Sequence, residues 1–268
     1  MALILMKMKP INQLPSNIRE QLRRIGDFYI CTQFSKDLIG DPMVKIGKDV
    51  YYRYMNFLYL PKPPESLTTE QIIEVCDLRI EYFNEIVDQK YNRQMIANII
   101  NCLSPNLISV DAPIKVLDFG CGTGLSSKLL SEYLSNLQIV GVDISEKAIL
   151  ECCQQDLTAF LIHPEEPLPF EDYSFDMIFA IFVMHFKLGI STLIELQRVL
   201  RTSGKFVFNI YYRDIDEVIE ELQEAGFSII EVWNDLSGVS ANHRVVSCGL
   251  LPPSETVFHQ ANRNKSKG

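Results

Sequence analysis

The sequence lacks the features that mark several large classes of protein. No apolar run reaches the roughly 18 residues that a membrane-spanning helix needs, and the apolar opening at residues 1–6 is shorter than the core of a secretory signal. Seven cysteines are present, yet none is spaced as C-x-x-C or as a set of metal ligands. We therefore expect a cytoplasmic protein with reduced thiols and no metal site, which does not act at a membrane.

An excess of positive charge is also missing. The 268 residues include 25 Lys and Arg against 34 Asp and Glu. Residues 1–110 carry 13 basic and 12 acidic side chains, whereas the remainder carries 12 basic and 22 acidic ones. No basic stripe with interleaved aromatic residues occurs in that acidic part, which argues against a nucleic-acid partner. Hydrophobic residues make up 47% of the chain, enough to bury a full core.

Two short stretches organise what is present. Residues 116–124, VLDFGCGTG, read as a buried strand that enters a glycine-rich turn, and a helix is expected to follow. Glycines there permit backbone angles that a Cβ forbids, and they let a ligand approach the main chain at the helix N-terminus. Residues 139–143, IVGVD, read as a second strand ending in Asp143. An acid at that position can accept hydrogen bonds from both hydroxyls of a ribose.

Details of the turn separate it from the dinucleotide-binding fingerprint. Its glycines are spaced G-x-G-x-G, not G-x-G-x-x-G, and Asp118 lies inside the first strand just before the turn. A carboxylate there suits a ligand with a cationic end better than a pyrophosphate, which disfavours a nicotinamide oxidoreductase. In these residues the sequence resembles the class I S-adenosylmethionine-dependent methyltransferases, over about residues 111–250.

The resemblance implies an α/β, Rossmann-like fold with a seven-stranded, mostly parallel sheet and an antiparallel last hairpin. It also implies S-adenosylmethionine as cofactor and S-adenosylhomocysteine as product. We expect a methyltransferase domain over 111–251, preceded by a helical N-terminal lid over 1–110 and followed by a disordered tail over 252–268. Within the lid, one helix is expected from residue 16 to Gly26 and two more from about 70 to 86 and 91 to 103.

The third strand of the sheet has two interpretations. Residues 152–156 could form it, which would make Asp156 the adenine contact and leave a preceding helix of two turns at most. We favour residues 159–163, because the preceding helix then has an ordinary length. The family usually has an acidic residue just past this strand, and Glu165 takes that place here. The alternative is that Glu165 is a solvated loop charge and the backbone alone holds the adenine.

The resemblance assigns a set of cofactor contacts around these strands. They are Asp118, Gly120, Cys121, Gly122, Thr123, Gly124, Asp143, Ile144, His163, Glu165 and Ala180.

His185 is the candidate catalytic residue, because it falls in the loop after the fourth strand. A neutral imidazole there could take the proton of the group being methylated. The alternative is a structural histidine bonded to a backbone carbonyl. For the substrate pocket, the expected lining residues are Tyr29, Tyr51, Tyr52 and Tyr211. Core packing between helices is the competing interpretation of these aromatic residues.

The sequence thus predicts methyl transfer to an O, N or C atom of a small, largely apolar metabolite or a short peptide. No Asn/Asp-Pro-Pro-Tyr/Phe motif, which amino-directed nucleic-acid methyltransferases carry, follows the fourth strand. A protein that binds S-adenosylmethionine as a scaffold, without catalysis, is the alternative function.

Overall fold

The computed structural model describes residues 9–10, 16, 20, 22–31, 43–54, 58–82, 92–100, 113–134, 136–210, 213–234 and 243–251. The chain divides into two compact units, Met1–Gln89 and Lys90–Gly268. This division lies earlier than the boundary expected near residue 110. The disordered tail expected over 252–268 lies outside the described residues. None of the described helices has the length and apolar character that crossing a bilayer requires.

The first unit contains a six-stranded sheet. Its strands are β1 (Lys9–Pro10), β2 (Arg23–Ile25), β3 (Phe28–Ile30), β4 (Met43–Ile46), β5 (Asp49–Tyr54) and β6 (Leu58–Leu60). They lie in the order β1-β4-β5-β6-β3-β2, with β1 parallel to β4 and the other pairs antiparallel. Helix α1 (Thr69–Glu81) follows, and a capping box between Thr68 and Gln71 begins it.

The expectation of a helical N-terminal part is therefore wrong for its first half. The helix predicted from residue 16 to Gly26 is replaced at its end by strand β2. Gly26 and Gly47, with φ of +53° and +65°, make the tight turns of the β2–β3 and β4–β5 hairpins. The two later helices are confirmed, as α1 and as α2 over residues 92–100.

The second unit contains the expected seven-stranded sheet. Its strands are β7 (Ile114–Phe119), β8 (Leu137–Asp143), β9 (Ala159–Leu161), β10 (Phe175–Ala180), β11 (Leu200–Ile210), β12 (Phe227–Asn234) and β13 (Arg244–Leu250). The order is β12-β13-β11-β10-β7-β8-β9. Strands β7 to β11 pair in parallel, whereas β13 is antiparallel to both β11 and β12. The predicted fold class is confirmed for this sheet.

Four further helices belong to this unit: α3 (Leu125–Tyr133), α4 (Glu146–Gln154), α5 (Ile190–Val199) and α6 (Ile215–Glu224). The centre of the sheet is fully buried at Val116, Leu117, Ile178 and Phe206. Such continuous apolar runs are typical of parallel strands that are covered on both faces.

The third strand is β9, as the preferred interpretation predicts. Residues up to Gln154 belong to α4, and Asp156 follows in a left-handed turn with φ of +58°. A strand over 152–156 is therefore excluded. The chain passes from β7 to β8 and β9 on one side of the sheet and then crosses to β10 on the other. That reversal places a ligand crevice at the carboxyl ends of β7 and β10.

Candidate active site

The glycine-rich turn leads from β7 into α3 and is tied to β8. Gly120, Gly122 and Gly124 have φ of +73°, +55° and +77°, a region in which residues with a Cβ are strained. The N–H groups of Gly120 and Cys121 both donate to the carbonyl of Val142, at 2.8 and 3.0 Å. No described side chain caps the start of α3, and an anionic ligand group can accept from N–H groups at such a helix start.

The space around the three glycines differs. A Cβ on Gly120 would overlap Val183, and one on Gly124 would overlap Leu157. A Cβ on Gly122 would meet no described atom within 4 Å. Gly120 and Gly124 are therefore required by the packing of the protein itself, whereas Gly122 presents bare main chain to open space.

Asp143 connects the end of β8 to this turn. Its Oδ2 accepts from the N–H of Gly122 at 2.9 Å, and its Oδ1 accepts from the N–H of Ser145 at 3.0 Å. The side chain is 5% exposed. Each carboxylate oxygen can accept a further bond, so the arrangement can receive the two hydroxyls of a ribose beside Gly122. Ile144, the next residue, is half-buried.

Asp118 is the buried acid beneath the turn. It is 1% exposed, and its Oδ2 accepts from the hydroxyl of Ser127 at 2.6 Å, whereas Oδ1 has no partner within the described part of the chain. Burial raises the pKa of Asp118 to about 6, the Ser127 hydrogen bond opposes that rise, and the nearby charge of Asp143 adds to it. A carboxylate with an unused buried oxygen fits the cationic end of a ligand.

The region past β9 contains the expected adenine contacts. His163 and Glu165 are both exposed, and the carbonyl of Pro164 between them accepts from the hydroxyl of Thr192 at 3.0 Å. Ile162 donates its N–H to the carbonyl of Asp143 at 3.0 Å, which holds the start of this loop beside Asp143. Ala180, at the end of β10, is fully buried. The roles of His163, Glu165 and Ala180 stay predictions.

His185 lies in the loop after β10, as expected, but its side chain is 0% exposed. Its ring packs beside Phe186, with ring centroids 4.3 Å apart. This burial fits the structural interpretation of the histidine, and its catalytic role stays a prediction.

Sequence reasoning missed two residues that position this loop. Phe182 has φ of +60°, and its N–H donates to Oδ1 of Asn209 on β11 at 2.6 Å. Nδ2 of Asn209 lies 2.9 Å from Nε2 of His243. Because an amide nitrogen only donates, Nε2 of His243 accepts this bond and carries no proton. Asn209 is fully buried. As a polar residue next to the apolar stretch of β11, it could have been noticed in the sequence.

Residues 117–208 match the model of a methyltransferase domain family. The match includes the turn, Asp143 and strands β8 to β10 of the sheet described above. The chain contains a class I S-adenosylmethionine-dependent methyltransferase domain.

Curated relatives of this methyltransferase domain have named activities. The chain is 34% identical over 94 residues to malonyl-[acyl-carrier protein] O-methyltransferase of Herminiimonas arsenicoxydans, which covers 35% of this chain and 36% of that protein. It is 31% identical over 141 residues to demethylmenaquinone methyltransferase of Thermotoga maritima, covering 52% of this chain and 57% of that protein. The chain therefore spans between about a third and somewhat over half of the length of these two relatives.

Among solved structures, a chain of the complex that contains the Haloferax volcanii Trm112 methyltransferase activator superposes with a TM-score of 0.53. It is 16% identical, and the match covers 66% of this chain and 98% of that one. An identity this low shows the shared fold alone.

The tyrosines expected in the substrate pocket do not form one described cluster. Tyr29 and Tyr51 pack edge to face in the first unit, with ring centroids 5.0 Å apart, in a small core with Val44 and Tyr59. Tyr52 is half-buried, and Tyr211 lies outside the described residues. The packing interpretation accounts for Tyr29 and Tyr51, and their role in a pocket stays a prediction.

We expect the buried acid of the methyltransferase domain to make its stability depend on pH. The pKa of Asp118 in the folded chain, about 6, lies above the ordinary value of 3.8. The folded state therefore binds this proton more tightly, so the acid lowers the free energy of unfolding as the pH rises through 4 to 6. Asp118→Asn removes that dependence. Relative to the variant, the native chain should lose about 2 kcal/mol between pH 4 and pH 7.

Urea unfolding of both proteins across this pH range measures the difference. Asp156→Asn, which changes an exposed carboxylate in the turn after α4, is the control. Its free energy of unfolding, plotted against pH, should run parallel to that of the native chain. Parallel curves for Asp118→Asn as well would contradict the prediction.

Proposed function

We propose that this chain transfers the methyl group of S-adenosylmethionine to an oxygen, nitrogen or carbon atom of a small, largely apolar metabolite or short peptide. One observation carries the proposal: the carboxylate of Asp143 accepts from the N–H of Gly122, at the point of the turn where the main chain faces open space. The two curated relatives are named for a malonyl-[acyl-carrier protein] and for demethylmenaquinone, neither of which is a nucleic acid.

The cofactor supplies a methyl group made electrophilic by its sulfonium. When bound, it would give this methyl carbon to the acceptor atom, and the carbon–sulfur bond would break with its electron pair on sulfur. The acceptor would lose a proton to a base of the protein. The main task of the protein is alignment. Asp143 and the turn hold the nucleoside, and Asp118 places the cationic end of its amino-acid part.

His185 is the base in this proposal. The loop that carries it follows β10, at the carboxyl edge of the sheet where ligands of such folds bind. Replacing it by glutamine should lower kcat by about a hundredfold while the affinity for S-adenosylmethionine stays unchanged, because only the proton acceptor is removed. Steady-state kinetics with the acceptor, together with calorimetry of cofactor binding, separate the two effects. Unchanged turnover would assign His185 a purely structural role.

The test of the proposed function has two steps. Titration calorimetry first measures binding of S-adenosylmethionine and of S-adenosylhomocysteine. The protein is then incubated with the methyl donor and fractions of a host extract, and mass spectrometry follows S-adenosylhomocysteine and acceptors that gain the mass of one methylene. No binding of either nucleoside would refute the proposal. Binding without turnover in any fraction would favour the scaffold function.

A further inference from the structure

A buried arginine lies just past the end of β11. The side chain of Arg213 is 2% exposed, and its Nη2 donates to Oε1 of Glu221 on α6 at 2.7 Å. Its Nε and Nη1 are also buried, and neither has a partner within the described residues. A guanidinium keeps its charge in a protein, and buried N–H groups left without acceptors are costly. Most of the hydrogen-bonding capacity of Arg213 is therefore unused.

A second cation lies beside the ion pair of Arg213 and Glu221. Lys187, in the loop after β10, places its Nζ 3.4 Å from the same Oε1 of Glu221. Two cations thus share one carboxylate. Oε2 of Glu221 is buried without a partner as well, which leaves one acceptor beside the unused donors. The sum over these three side chains is one unit of positive charge, which an anion would balance.

Lys187 and Arg213 lie at the carboxyl edge of the sheet, where the methyl acceptor would bind in the proposed function. Strands β10 and β11 run in parallel, with Ala180 opposite Phe208, so their carboxyl ends reach the same side of the sheet. Lys187 and Arg213 follow these two ends, and His185 lies two residues before Lys187. The glycine-rich turn leaves β7, the other neighbour of β10, at the same edge.

We propose that Arg213 binds an anionic group of the methyl acceptor, a carboxylate or a phosphate. Nη2 has two hydrogens and one of them is donated to Glu221, so one edge of the planar guanidinium, formed by Nη2 with either Nε or Nη1, can still donate to two oxygens of an oxyanion. The inference rests on the proposed methyl transfer and narrows it: the acceptor combines an apolar body with a negatively charged end. Arg213 is then a residue that determines specificity.

The test compares anions with a neutral analogue of the same size. The probes are acetate, inorganic phosphate and acetamide, added at fixed ionic strength to the protein saturated with S-adenosylhomocysteine, and thermal unfolding reports binding. Acetate or phosphate should raise the Tm in a saturable manner, whereas acetamide should not. The two anions separate a carboxylate-selective site from a phosphate-selective one.

The variant is Arg213→Gln combined with Glu221→Gln, because loss of the arginine alone would leave Glu221 with only Lys187. Arg93→Gln with Glu132→Gln is the matched control, since it removes an exposed ion pair at 3.6 Å and, like the first double variant, leaves the net charge unchanged. The anion-dependent rise in Tm should disappear in the first double variant and persist in the second. Equal shifts in both, or no shift in the native chain, would overturn the inference.

Calorimetry on the same samples separates this outcome from a failure of the proposed function. Normal binding of S-adenosylhomocysteine without an anion effect removes the role of Arg213 and leaves methyl transfer intact. Absence of nucleoside binding removes the proposed function, and the anion series without nucleoside then tests the site on its own. Once an acceptor is known, the first double variant should raise its KM about tenfold with a smaller change in kcat.

Discussion

Gly122→Ala is expected to lower the affinity for S-adenosylmethionine about a thousandfold while the chain stays folded. The backbone at Gly122 has φ of +55°, so alanine costs about 1–2 kcal/mol of stability. The new methyl group meets no described atom within 4 Å. It instead occupies the space over the turn, where the cofactor would approach bare main chain beside Asp143 in the proposed function.

Gly47→Ala is the matched control for this substitution. Gly47 has φ of +65°, and a Cβ there also meets no described atom within 4 Å, but it lies in the β4–β5 turn of the first unit. Both variants should lose a similar amount of Tm, and only Gly122→Ala should lose binding in calorimetry. If the two variants bound the nucleoside equally well, the cofactor would not lie against Gly122.

Asp143→Ala is expected to have an effect of the same size, about a thousandfold on affinity. The carboxylate accepts from the N–H groups of Gly122 and Ser145. Charge-assisted bonds of this kind contribute about 1.5–3 kcal/mol each, and the ribose hydroxyls would lose their acceptor as well. Calorimetry with S-adenosylhomocysteine measures the loss. Glu220→Ala, an exposed acid on α6, should leave the affinity unchanged.

A second measurement separates loss of the ribose contact from collapse of the turn. Adenosine and 2′-deoxyadenosine are compared as competitors of S-adenosylhomocysteine. In the proposed binding mode the 2′-hydroxyl would donate to Asp143, so the native chain should prefer adenosine and Asp143→Asn should lose most of that preference. An unchanged preference in the variant would show that Asp143 supports the turn without contacting the sugar.

The methyltransferase domain was predictable from the sequence because its signals are local. Its central parallel strands, β7 and β10, are largely buried and read as short apolar runs, and the glycines of residues 120–124 directly follow β7. Even the ambiguous third strand could be placed, since only residues 159–161 leave a helix of ordinary length before them.

The first unit shows where local signals fail. Its strands have two to six residues, and β1 pairs with β4 and β3 with β6 across long stretches of chain. Segments this short hold too few residues to establish a period of two. The spacing of Ile18, Leu22 and Ile25 therefore suggested a helix up to Gly26, whereas residues 23–25 pair with β3 across the turn at Gly26. Strand β3 in turn pairs with β6, which lies far along the chain.

By itself, the sequence determined the class of the seven-stranded sheet, the glycine-rich turn and the acid at the end of β8, because the signals for these features are local. Only the tertiary structure decided that His185 is fully buried, that Asn209 and His243 hold its loop, and that Arg213 lies buried with unused donors. Asn209, His243 and the loop at Phe182 meet because β10, β11 and β13 are adjacent in the sheet. Strand order and register bring them together, and neither can be predicted from one short segment of the sequence.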